Sequence, residues 1–418
     1  MIGTRTKNNA ATLIAGVGLL GPAAVSVGAA EYTVELLPQY GEIKQGNTPP
    51  GLPPVLSVSG SIPSAINNAG LVVGGTVIPE GEGTGFYVGE GRQVGLNDAF
   101  SLLGSELVDV NDSGVAVGWG FDETRDFTTP GFAFTYDGTT LTEYGGFVSS
   151  AIARPTLSGI NNAGVVVGSA PRPAPGQPVT PEDGRPAIWD ASGQISELPL
   201  PAGATRGFAQ SINNAGLIVG RADSAEDPFL RSAIWRPDGS FEYAPRVDFT
   251  DGDPGLPGSG EVLIRDLNDA GALVGHVDRA LFDRRPVYVD PAGDVTLVEG
   301  WDVDNPAKVG DEVFAINGSG MMVGRSRIGN DFDLLFWSGP DASPINLSEL
   351  YDTPTLEIVQ AIDINDAGQI TAFGFETVVF EGQEVQQAVA LVLTPIPAPG
   401  AAGLLAVAGV IASRRRRG

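Results

Sequence analysis

His276 is the single imidazole of the chain, and no cysteine accompanies it. Cys–His dyads and thiolate metal sites need a cysteine and His-rich zinc sites a second imidazole, so they drop out; a serine triad would have to be built on His276 itself. A lone His on a strand is expected to be structural or exposed. Carboxylates are the chemistry that remains. Asp248, Asp251 and Asp253 fall in one segment, and Asp302 and Asp304 in another. Oxygen-rich loops of this kind could hold calcium, although neither follows the EF-hand alternation that ends in Glu. Solvated turn carboxylates are the competing reading. With 50 acidic residues, pairs suited to glycoside hydrolysis could also form, yet no spacing singles one out.

Whatever these loops do, a repeating scaffold has to carry them. The pattern Ile66-Asn67-Asn68-Ala69-Gly70-Leu71-Val72-Val73-Gly74 returns six more times, starting at Val110, Ile160, Ile212, Leu267, Ile316 and Ile364. The intervals are 44, 50, 52, 55, 49 and 48 residues. A period near fifty with several short apolar strands per period is that of a β-propeller blade, not of leucine-rich, TPR or ankyrin repeats. Within each copy an apolar strand ends in Asn, two turn residues and Gly follow, and an apolar strand resumes. Asn starts a type I turn by bonding its own backbone, and Gly takes the left-handed conformation that closes the hairpin. The pairs are Asn67 and Gly70, Asn111 and Gly114, Asn161 and Gly164, Asn213 and Gly216, Asn268 and Gly271, Asn317 and Gly320, and Asn365 and Gly368. Sevenfold recurrence at a turn favours this structural role over a ring of ligand-binding asparagines.

A third strand in each repeat is rich in aromatics, as in Gly131-Phe132-Ala133-Phe134, Ala187-Ile188-Trp189, Ala233-Ile234-Trp235 and Leu335-Phe336-Trp337. Sugar-stacking platforms would need such rings. One register per repeat is instead what blade-to-blade packing requires. A Gly-containing turn and a short fourth strand usually follow. The last repeat reaches its third strand at Ala388–Thr394 and stops, whereas Tyr32–Leu37 has the alternation of a fourth strand and precedes the first full repeat. The segment 32–37 is therefore expected to pair with the last blade and close the ring, removing exposed edges. The turns on one face are short and uniform. The loops between second and third strands, and between successive repeats, are long, unequal and polar, so binding is expected on their face or at the channel mouth there.

The two ends read as targeting segments. Arg5 and Lys7, an apolar stretch from Ala10, and Gly28-Ala29-Ala30 make a signal peptide over residues 1–30, a substrate for signal peptidase. A buried N-terminal helix is the alternative. At the other end, Pro395, Pro397 and Pro399 precede an apolar stretch, Gly400 to Ala412, and the cluster Arg414–Arg417. About 20 Å of helix is short for a span of ~30 Å, and the arginines would stay cytoplasmic. This tail resembles the PEP-CTERM sorting signal, which implies an exosortase-like sorting enzyme as partner. Ala398 stands where that family has Glu, and a plain membrane anchor is the alternative. The repeats resemble the HAF repeat of exported bacterial proteins, a likeness that implies export and β-structure and transfers no catalytic residue.

The expected fold is thus all-β, a seven-bladed β-propeller over 31–394. A signal peptide (1–30) precedes it; a proline-rich linker (395–399) and an apolar helix with its Arg cluster (400–418) follow. The two end segments carry six basic residues and no acidic one, so the body holds 18 basic against 50 acidic residues. Such a body repels nucleic acid and anionic lipid and attracts cations, and its acidity also keeps a secreted protein soluble. The leading functional reading is a non-enzymatic interaction platform at the cell surface or in the extracellular matrix, with exopolysaccharide or a surface protein as partner. A secreted carboxylate- or calcium-dependent polysaccharide hydrolase or lyase, and a structural coat protein, are the alternatives.

Overall fold

The computed structural model describes residues 24–27, 30–39, 43–45, 56–58, 60–77, 83–89, 92–122, 131–148, 153–173, 176, 178, 180, 184–225, 229–249, 260–280, 283–305, 307–350, 355–380 and 382–396. The remainder of the signal segment and the tail from residue 397, including the expected apolar helix, lie outside these residues. Among the described residues no helix is long and apolar enough to cross a membrane.

Each repeat folds into one antiparallel meander. The first repeat pairs Gly60–Ile66, Val72–Val77, Gly85–Gly89 and Arg92–Gly95 in that order. The second, third and fourth repeats form further four-stranded sheets with first strands Gly104–Val110, Thr156–Ile160 and Gly207–Ile212. The fifth and sixth, which begin at Val262–Leu267 and Lys308–Ile316, are joined by a single parallel bridge between Arg284 and Gly310. In the last sheet Leu356–Ile364, Ile370–Phe380 and Gln383–Ile396 are followed in space by Ala30–Leu36, which lies antiparallel to Gln383–Ile396 with Thr33 opposite Thr394. The N-terminal segment therefore supplies the fourth strand of this sheet. Ala24–Val27, inside the expected signal segment, adds a fifth strand at its outer edge. The final strand runs on through Pro395 and Ile396, the first two residues of the expected proline-rich linker. Pro395 lies opposite Tyr32 and beyond Leu393, the last residue paired with Ile370–Phe380, so its missing N–H falls where the strand has one neighbour.

A β-bulge recurs in every first strand. The register shifts leave Ser64, Val108, Ser158, Gln210, Arg265, Phe314 and Ile362 as the extra residue. The bulge explains the final glycine of the motif. A Cβ on Gly168 would lie 1.9 Å from the Thr156 carbonyl oxygen, and one on Gly118 2.1 Å from that of Glu106. Only hydrogen can sit where the bulged strand folds its carbonyl over its neighbour.

The third-strand aromatics pack between sheets. Trp189, Trp235 and Trp337 are fully buried. Their indole N–H groups donate to the carbonyls of Gly145, Pro199 and Glu299, each in the chain leaving the preceding repeat's fourth strand. A buried indole needs such a partner, so each Trp stitches one sheet to the one before it.

Candidate functional site

The seven Asn-x-x-Gly turns meet around one axis. In the first, the Gly70 N–H bonds the Asn67 carbonyl and the Asn67 N–H bonds that of Leu71. The Asn67 Oδ1 accepts from the N–H groups of Ala69 and Leu71. The closing glycines have φ between 75° and 86°, the left-handed region open to glycine. The Asn side chain has a second task. Its Nδ2 donates to the backbone carbonyl of the next turn's Asn: Asn67 to Asn111, on through Asn161, Asn213, Asn268, Asn317 and Asn365, and back to Asn67, at 2.9–3.2 Å. The circle is complete, and all seven Asn are buried. Asp or Ser could start the turn equally well, but neither has an acceptor and an NH2 donor together. Sevenfold Asn was the signal for this clasp, which the turn reading alone missed.

Asn213→Asp keeps the acceptor for Leu217 but loses the donor to Asn268 and buries a charge, so it is expected to cost about 1–3 kcal/mol. Asn214→Ala, one residue on and exposed, is expected to cost clearly less in the same urea titration. Equal losses would contradict a special role for the buried amide.

The residues after each Asn form a looser outer circle. Asn68 donates through N–H and Nδ2 to Asp112, the Asp112 N–H bonds Asn162, and the Asn162 N–H bonds Asn214. Asn214 then reaches Asp269, the Gly318 N–H reaches Asp366, and the Asp366 N–H returns to Asn68. Gly318 offers no side chain to Asp269. Partial burial works against the charge of Asp112, but hydrogen bonds from Asn162 and Asn68 outweigh it and hold its carboxyl below the usual range. The turns and the Ile, Val or Leu before each Asn surround a pocket of about 170 Å³.

Two residues before the Asn, three repeats place an aspartate: Asp109, Asp266 and Asp363. Asp109 accepts from its own Val110 N–H and from Ile160 in the next repeat. Asp363 likewise takes Ile364 and Ile66, and Asp266 takes Leu267 and Ile316. Three carboxyls thus hold six of the seven backbone N–H groups at this level. The seventh, of Ile212, falls between Gly159 and Ser211. Each of these three residues is partly buried. Burial pushes Asp109 up to about 7, against its two backbone bonds and with help from Asp363. Burial and then Asp363 push Asp266 up to about 8, and burial raises Asp363.

Farther from the Asn turns, strands of the fifth and sixth repeats gather arginines around a buried carboxylate. Glu312, 4% exposed, receives Arg284 on Oε1, and Arg325 and Arg265 lie 3.6 and 3.8 Å from Oε2. Arg284 also pairs with Asp278 at 3.2 Å. Arg325 donates to Gln360 at 3.0 Å. Both Arg325 and Arg265 approach the ring of Phe314, at 5.2 and 6.0 Å from its centroid. His276 is buried beside them, its Nδ1 without a hydrogen-bond partner. Burial drives its pKa down to about 3; Glu312 opposes this, and Arg265, Arg284 and Arg221 add to it. A neutral, weakly basic imidazole is a poor general base.

The expected calcium ligands do not converge. Asp248 is exposed, and Asp251 and Asp253 lie outside the described residues. Asp302 and Asp304 are exposed, and the Asp302 carboxylate accepts from Asn305 within its own turn. Among the described residues no group of three or more His, Asp or Glu is placed to hold a metal ion. What sequence reasoning missed lies just past the motif's last Gly. In three successive repeats that residue is Arg221, His276 and Arg325, a basic run in an acidic chain.

No family model matches this sequence, and no curated protein matches it. Among solved structures the chain is similar to the β-propeller domain of the Trilobed protease from Pyrococcus furiosus, at 14% identity and a TM-score of 0.46 over 79% of this chain and 95% of that one. It is similar to puromycin hydrolase at 13% identity and a TM-score of 0.46, over 88% of this chain and 51% of that one. It is also similar to virginiamycin B lyase from Staphylococcus aureus, at 14% identity and a TM-score of 0.37, over 69% and 94%. The chain spans about half the length of puromycin hydrolase. Likeness of this extent says nothing of activity.

Proposed function

We propose that this chain is a seven-bladed β-propeller, exported and held at the cell envelope, that serves as a non-enzymatic binding platform for polysaccharide. The count of seven is supported by the circle of Asn side-chain bonds, which links every repeat to the next and the last to the first. Export rests on the signal-like residues 1–30 and on the tail's likeness to an exosortase substrate. The ligand enters at the channel end away from the Asn turns, where long polar loops are carried on a rigid scaffold. The observation that carries this reading is the concentration of guanidinium and aromatic groups in that half of the channel, with Arg265 and Arg325 on Phe314 and Arg154 4.7 Å from the Trp119 ring centroid. Such groups hold sugars and their substituents by stacking and by forked hydrogen bonds.

A polysaccharide hydrolase is the second reading, favoured by Asp109, Asp266 and Asp363, whose raised pKa values suit acid–base work. Against it, both oxygens of Asp109 and of Asp363 hold backbone N–H groups. The full chain, purified from the envelope, is expected to bind a subset of oligosaccharides on a glycan array and to release no new reducing ends from them. Release that is lost in Asp266→Asn would replace the platform by the enzyme. Absence of binding to every glycan would leave a coat protein.

A further inference from the structure

We infer that the channel half lined by Arg221, Arg265 and Arg325 is a binding site for one anionic group, a carboxylate, sulfate or phosphate, carried on a polysaccharide or as a free small anion. Arg221, Arg265, Arg284 and Arg325 gather about His276 and Glu312, and among the described residues the carboxylates paired with them are Glu312 and Asp278. Four cations face two anions, in a chain whose formal charge is −26. Arg221 pairs with no carboxylate among the described residues, and its charged neighbour is Arg265; burial and that like charge both lower its pKa. Holding like charges together away from water is costly unless a counter-charge arrives.

Arg265 and Arg325 keep 35% and 25% of their side-chain surface open, so the cluster is not sealed. Arg265 Nε and His276 Nδ1 are buried without a hydrogen-bond partner, and a guanidinium with an unused edge is suited to forked recognition of a planar or tetrahedral oxyanion. Arg221, His276 and Arg325 hold the same position on three successive second strands, and the bulge that displaces Arg265 and Phe314 brings them to the same side. The recurrence of one strand position, not a chance surface patch, assembles the site.

The polysaccharide-borne form rests on the proposed function; the free-anion form does not. The test uses the full chain at low ionic strength, where charge contacts are least screened. Sodium sulfate, inorganic phosphate, galacturonate and oligogalacturonate are titrated by calorimetry and by thermal melting, beside a neutral oligosaccharide of equal length. At least one anion is expected to raise the melting temperature and to bind at least tenfold more weakly to Arg221→Gln and Arg265→Gln. Arg221→Gln, without anion, is expected to melt no lower than the parent, because it relieves like-charge crowding; a merely structural arginine would give the opposite. Arg265→Gln also loses its contact with Glu312 and is read by anion binding alone. Preference for oligogalacturonate over its monomer assigns the site to a polymer, and equal affinity assigns it to small anions. No binding by any anion, or binding unchanged in both variants, overturns the inference. If neutral oligosaccharides then still bind, the platform reading survives that failure. Anion binding with no polysaccharide binding sinks the platform reading and keeps the site.

Discussion

In protein produced without export, so that residues 1–30 are retained, deletion of residues 31–37 is expected to abolish the sharp unfolding transition, whereas deletion of residues 24–30 should leave the melt almost as in the parent. The difference lies in what the two segments bury. Tyr32 is 4% exposed and meets Phe336 edge-on at 6.3 Å, in a cluster with Leu391, Leu393 and Ile364. Val34 and Leu36 pack against the same cluster, and the Leu37 N–H bonds the Ala390 carbonyl. Burying an apolar side chain is worth ~1.5–3 kcal/mol, so losing several is comparable with the whole stability of a domain. A fall in melting temperature of roughly 10 °C or more follows. The bare edge of Gln383–Ile396 would also be left to pair with other chains. Light scattering during the melt should therefore rise, and a peptide of residues 30–39 added in excess should suppress it. An unchanged melt without residues 31–37 would mean that the last sheet does not need its N-terminal strand, and ring closure by that strand would be abandoned. The contrast with the shorter deletion separates this from any effect of changing the N-terminus, because Ala24–Val27 is only an outer, fifth strand.

The parts of this architecture that repeat were readable, because repetition turns weak local signals into strong ones. Seven Asn and seven Gly at fixed spacing identify the hairpins without reference to tertiary contacts. The surplus strand Tyr32–Leu37 and the missing one after Thr394 identify each other. What could not be read is what depends on two repeats at once. The Asn amide looks like a turn residue until its Nδ2 is seen on the next repeat's carbonyl. The last Gly of the motif looks like a strand ending until the bulge places a carbonyl over it. Repeat seven makes the point by its departure. Ala372 stands where the others have Gly, and Gly374 takes the role instead, its Cβ position 2.2 Å from the Glu357 oxygen. Two register shifts in Leu356–Ile364 move the crowded point along the strand. The arginine cluster was the least legible. Arg221, Arg265, Arg284 and Arg325 are scattered across more than one hundred residues of sequence, and only the winding of successive sheets brings them to Glu312.

Stability of the folded protein should fall as pH rises from about 5 to about 8.5, and Asp109, Asp266 and Asp363 should cause much of that fall. In an unfolded chain an Asp titrates near ~3.9. In the folded protein Asp109 is pushed up to about 7 and Asp266 to about 8, and Asp363 is raised as well. Between these limits the folded state binds more protons than the unfolded one. Stability from these groups is therefore complete below the unfolded pKa and is lost as pH climbs through the folded values. Keeping two such carboxyls in the acid form is worth on the order of several kcal/mol across that range. The three lie close enough to feel one another, so they titrate as a set, not one by one. General repulsion in an acidic protein has the same sign, so the parent alone proves little. The decisive comparison is Asp109→Asn with Asp266→Asn. Each amide nitrogen cannot accept the backbone N–H that a carboxyl oxygen holds, so the double variant should melt lower than the parent at pH 5. General repulsion remains in it, reduced by two charges, while the specific titration is gone, so its melting temperature should decline less between pH 6 and pH 8.5 and the two curves should converge. Parallel curves would show that these carboxyls ionise as they would in water and that the axis does not withhold solvent from them. Carbon-13 shifts of the carboxyl groups, followed over the same range, would then have to place all three midpoints near 4.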